Sequence, residues 1–122
     1  MTNPYEQYKR VQVQTANPIE LVVMAYDGAS VYLARAKEAM SDGNYQAAGE
    51  WIRRVQSIIA ELTSSLDPAA GEVSYNLARL YGFINERLGR VTASRDPKFL
   101  DEIAKVLDTL KQGWCECAKR SK

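Results

Sequence analysis

The stretch NPIELVVMAYDGASVYLARAKEAM, residues 17–40, decides the fold. Asn17 offers a side-chain oxygen to the unpaired first amides of a helix. Pro18 suits the first helical position, where its missing N–H costs nothing, and Glu20 completes a capping box. From there Ile19, Val22, Tyr26, Ala29, Leu33, Ala36 and Met40 recur at steps of three and four, which places them on one helical face. SDG at 41–43 ends the pattern. Gly28 interrupts it, and glycine inside a helix costs about 1 kcal/mol relative to alanine. It marks either a close helix crossing or a surface notch, of which close packing is the simpler. Tyr26 lies on the stripe, so its ring is expected inside with its hydroxyl on a polar partner. Asp27 points away from the stripe, towards solvent or a cation.

The rest of the chain repeats the signal. A second helix is expected from near Asn44, with Ala48, Ile52, Val55, Ile59, Leu62 and Leu66 along its seam and a second apolar row of Ala47, Trp51 and Ile58 beside it. SSLDPAAG at 64–71 breaks it. Val73, Leu77, Leu80, Ile84, Leu88 and Val91 mark a third helix before ASRDP. Asp96 caps a fourth that starts at Pro97 and carries Leu100, Ile103, Leu107, Leu110 and Trp114. No bounded run alternates at period two, so no strand is expected. Short connections favour antiparallel neighbours, giving an all-α, up-down-up-down bundle of four main helices over residues 17–122. Residues 1–16, polar with isolated Tyr5, Tyr8, Val11 and Val13, read as an N-terminal arm.

Composition excludes more than it suggests. At 122 residues the chain is one domain able to bury a core, and its formal charge of +1 supplies no field for nucleic acid or an anionic membrane. No run approaches membrane-spanning length and no signal peptide opens the chain, so a cytoplasmic location is expected. Histidine is absent, which removes the usual general base near neutral pH and the commonest metal ligand. The two cysteines, Cys115 and Cys117, are too few for a four-thiolate zinc site and diverge on a helix, so they should not bridge each other. Lys111 and Lys119 flank Cys115 four residues away on either side, but a thiol enzyme needs a base and an oxyanion site that the sequence does not supply. No catalytic residue, metal or cofactor is expected. Trp51 and Ile58 admit two readings: a third apolar position of the bundle, or, if exposed, a groove for a partner's amphipathic helix.

NPYEQYKRVQVQTANPIELVVMAYDGA, residues 3–29, resembles the start of the flagellar export chaperone FliS family, through Tyr8, Val13, Thr15, Ala16, Pro18, Leu21, Met24, Tyr26, Asp27, Gly28 and Ala29. Asn17 stands where the family has serine and keeps the capping role, and Ala25 stands where it has leucine. AKEAM with GNYQAA, IIAELTSSLD and NLARLYGFINERL extend the similarity into the second and third helices, whereas CEC at 115–117 matches no family signature. The resemblance implies a cytoplasmic chaperone that binds the disordered C-terminal segment of flagellin, prevents early polymerisation and delivers it to the flagellar type III export machinery. It makes Tyr8 and Val13 candidates for a lid, and Trp51, Ile58 and Tyr81 candidates for partner binding in a groove of the second and third helices. Trp51→Glu or Ile58→Glu is then expected to abolish capture with helical content intact. A homodimer is one expectation for the unliganded protein; nucleic acid and membrane insertion are not expected. The rival from another class is a helical-bundle adaptor that scaffolds folded proteins.

Overall fold

The structure, a computed structural model, describes residues 18–120. It contains α1 (Pro18–Ser41), α2 (Tyr45–Ser64), a single 3-10 turn (Pro68–Ala70), α3 (Glu72–Ser94) and α4 (Lys98–Arg120). The described residues include no strand. The helices form a ring in which α1 and α3 each pack on α2 and α4, while α1 and α3 occupy opposite corners. This is the expected four-helix bundle. The arm, with Tyr8 and Val13, and the expected cap Asn17 lie outside the described residues.

Local chemistry sets the helix ends. After α1 the Gly43 amide bonds to the Met40 carbonyl at 3.0 Å and the Asn44 amide to the Ala39 carbonyl at 2.8 Å. That Schellman pairing needs a left-handed residue, and Gly43 supplies it at φ +74°. The next residue starts α2: Asn44 Oδ1 accepts from the Ala47 amide at 3.1 Å. Asp67 accepts from the Ala69 amide at 2.9 Å and turns the chain with Pro68. Asp96 Oδ1 accepts from the Lys98 amide at 3.0 Å, so the Asp96 cap stands and α4 begins one residue after Pro97.

Burial follows the expected stripes on α1 and α2. Tyr26, Ala29, Leu33, Ala36 and Met40 of α1 meet Ala48, Ile52, Val55, Ile59 and Leu62 of α2, with Met24, Tyr32 and Ile58 also buried. Gly28 is buried too, consistent with packing and not with a surface notch. On α4, Leu100, Ile103 and Leu107 are buried while Leu110 and Trp114 are half-buried.

The third stripe is corrected. Leu77, Tyr81, Ile84, Leu88 and Val91 form the inner face of α3, whereas Leu80 is 37% and Val73 61% exposed. Steps 77–80–84 and 77–81–84 fit a helical period equally well. The register that buries Tyr81 covers the larger ring and gives its hydroxyl an internal partner. Surface ion pairs tie α4 to its neighbours: Lys37 with Asp101 at 2.9 Å across α1–α4, and Arg87 with Glu102 at 3.0 Å across α3–α4. Exposed pairs of this kind contribute little to stability.

Candidate partner-binding surface

A polar chain runs through the bundle. The hydroxyls of Tyr26 on α1 and Tyr81 on α3 lie 2.7 Å apart, and Trp114 Nε1 on α4 donates to the Tyr26 hydroxyl at 2.9 Å. Both tyrosines are almost wholly buried. Burial pushes the Tyr26 phenol above its ordinary value, opposed by its hydrogen bonds with Tyr81 and Trp114. Burial first, then the hydrogen bond with Tyr26, also pushes Tyr81 up. Both groups therefore stay neutral at physiological pH, and the chain aligns three helices without charge. Asp27, next to Tyr26, is paired with Lys111 of α4 at 2.5 Å. That bond raises the Lys111 ammonium above its usual value and takes it up as a structural partner.

The proposed partner-binding residues separate into two environments. Trp51 is half-buried on the outer seam of α1 and α2, its ring 5.5 Å from that of Tyr32. The Arg35 guanidinium lies 5.5 Å and that of Arg54 4.8 Å from its centroid, so the indole is held by aromatic and cation–π contacts at its margin. Ile58, two turns on, is 6% exposed and belongs to the core. Tyr81 is 1% exposed, on α3. These three side chains do not line one open groove: Trp51 leans on α1, and the other two lie inside.

The exposed apolar side chains that sequence reasoning missed are on the first turns of α3, Val73 and Leu80 on one face and Tyr75 on another. Val73 and Tyr75 are more than half exposed and Leu80 more than a third. The signal was present, because Val73 and Leu80 are seven apart on one helical face, but the same spacing also describes a core seam. Cys115 is half-buried, Cys117 exposed, and neither forms a disulfide. No cluster of metal-ligating side chains occurs among the described residues, and no described helix is long and apolar enough to cross a membrane.

Residues 1–121 match the family model described as flagellar protein FliS. The chain is 30% identical to the flagellar secretion chaperone FliS of Vibrio cholerae, covering 93% of this chain and 88% of the relative. It is 35% identical to the flagellar secretion chaperone FliSB of Pseudomonas aeruginosa, covering 89% and 90%. A solved crystal structure of a bacterial flagellar chaperone superposes with a TM-score of 0.81 at 22% identity over 95% of both chains, a likeness of fold. With residues 1–121 matched, the chain belongs to the FliS family, a family of flagellar secretion chaperones and not of enzymes.

Proposed function

We propose that this chain is the cytoplasmic export chaperone of a flagellin, binding its disordered C-terminal segment, preventing premature polymerisation and delivering it to the flagellar type III export machinery. The observation that carries the reading is the whole-chain match to relatives named flagellar secretion chaperones. The surface is consistent with it. A closed core leaves the Val73 and Leu80 face of α3 and the margin of Trp51 on the α1–α2 seam available to an amphipathic helix. A disordered client that folds onto such surfaces spends binding energy on ordering, which keeps the complex releasable at the export gate.

In this reading Tyr8 and Val13 of the arm act as the lid. Trp51 meets the client from the rim, while Ile58 and Tyr81 shape the surface from beneath. The test is calorimetric titration with flagellin encoded by the same genome, full-length and lacking its C-terminal segment. The chaperone reading expects binding of the first and none of the second. Equal binding of both identifies the adaptor instead.

A further inference from the structure

At the end of the bundle where α2 begins and α3 finishes, a cleft of about 290 Å³ opens between the two helices. Its floor is apolar, made by Met40, Ala48, Ile52 and Val91, all buried. Arg53 and Arg95 stand at its edge, and no acidic side chain lines it. Neither guanidinium has an ion-pair partner among the described residues; Arg95 instead lies over the Tyr45 ring, 4.3 Å from its centroid.

Two residues of this cleft break local helix rules in opposite directions. Arg95 caps α3 in the left-handed region, φ +58° and ψ 29°, where glycine is the unstrained choice. A cation anywhere in the last turn would complement the helix dipole, so the dipole does not account for a left-handed arginine. Gly49 sits inside α2, where alanine is favoured, and a Cβ there would meet only Arg53 Nη1, at 3.7 Å. No helix crosses closely enough to require it. What the pair achieves is shared: the missing side chain keeps the cleft open, and the left-handed cap sets a guanidinium on its rim.

We infer that this cleft is a docking site for an acidic segment of a protein partner, with an aliphatic side chain on the floor and neighbouring carboxylates paired with Arg53 and Arg95. The apolar floor calls for a hydrocarbon side chain, and the paired cations with no acidic lining call for negative charge beside it. The cleft is on the α3 side of α2 and Trp51 on the α1 side, so the two surfaces are separable and the inference does not depend on the flagellin reading.

The test is titration of the isotope-labelled full chain, followed by amide chemical shifts, with a blocked nonapeptide of leucine and glutamate. A counterpart with glutamine replacing every glutamate, and inorganic phosphate, serve as controls. The expected result is saturable shifts at Gly49, Arg53 and Arg95 with the acidic peptide and at least tenfold weaker binding of the glutamine peptide. Gly49→Leu, which fills the cleft, and Arg95→Gly, which keeps the left-handed backbone, should each weaken binding tenfold or more with helical content and Tm retained. Equal binding of the two peptides overturns the inference. So do shifts that avoid the cleft, no saturable binding at millimolar peptide, unchanged binding by Gly49→Leu, or phosphate reproducing the whole response.

Discussion

The hydroxyl oxygens of Tyr26 and Tyr81 lie 2.7 Å apart and join two helices at opposite corners of the bundle. Trp114 Nε1 can only donate, so this chain holds one N–H and two O–H protons but forms two hydrogen bonds among the described residues. Tyr26→Phe removes the hydroxyl common to both bonds and leaves the Tyr81 hydroxyl and the Trp114 indole N–H without their partner. Tyr81→Phe removes only one bond. The first substitution should cost about 1–3 kcal/mol and the second less, as befits loss of buried hydrogen bonds. The double variant should lose less than the sum of the two. Urea denaturation of the four proteins checks this, and strict additivity would show that the hydroxyls are not coupled.

Alkaline pH should act through the same residues. Their phenols ionise from about pH 10 in the unfolded chain but later in the folded one, because burial raises both. Above pH 10 the unfolded state therefore binds fewer protons than the native state, and stability falls as pH rises. Lys111 adds in the same direction. Its raised value means that the stabilisation it gains from Asp27 is complete below about pH 10.5 and is lost as pH climbs through the folded value. Asp27 and Lys111 are both more than a third exposed, so this second contribution is the smaller. Denaturation midpoints between pH 8 and 11.5 should drop, and the drop should flatten in Tyr26→Phe/Tyr81→Phe. An identical slope in that variant would assign the effect elsewhere.

Much of this architecture was legible because the deciding signals are local. Asn44, Gly43, Asp67 and Asp96 punctuate the chain at or within one residue of where the helices change. Tyr26 shows how far periodicity reaches: it placed the ring inside and required a hydroxyl partner, yet could not name Tyr81, which is 55 residues away. Leu80 and Tyr81 show where it stops. Adjacent apolar residues on a helix differ by about 100° in direction, and only the neighbouring helices choose between them. The candidate partner-binding residues were less legible for a related reason: Trp51 and Ile58 share one face of α2, but only packing against α1 leaves Trp51 at the margin and closes Ile58 in.

Gly49→Ala should stabilise the protein. The new Cβ meets Arg53 Nη1 at 3.7 Å, an ordinary contact with the end of a flexible side chain. The helix then gains about 1 kcal/mol of propensity. A Tm increase of a few degrees in calorimetry is the expected outcome. A decrease would mean that the α2–α3 seam needs the glycine for packing, and the cleft would then be a by-product of that seam.

The two glutamate substitutions suggested by sequence separate once burial is known. Trp51 is half-buried at the bundle surface, so Trp51→Glu can turn its carboxylate towards water and towards Arg35 and Arg54, which now stack on the indole. Helical content should be retained, stability should fall by about 1–3 kcal/mol from the lost apolar burial, and capture of full-length flagellin should weaken at least tenfold. Ile58 is 6% exposed, so Ile58→Glu places a carboxylate in a core that buries no charged side chain. An unpaired buried charge of this kind costs several kcal/mol, and the bundle should unfold or lose its cooperative transition before binding can be read. Ile58→Ala, costing about 2–5 kcal/mol, is the informative change there. Circular dichroism with calorimetric titration distinguishes the cases: Trp51→Glu binding as tightly as the parent would remove the α1–α2 seam from the client surface, whatever Ile58 does.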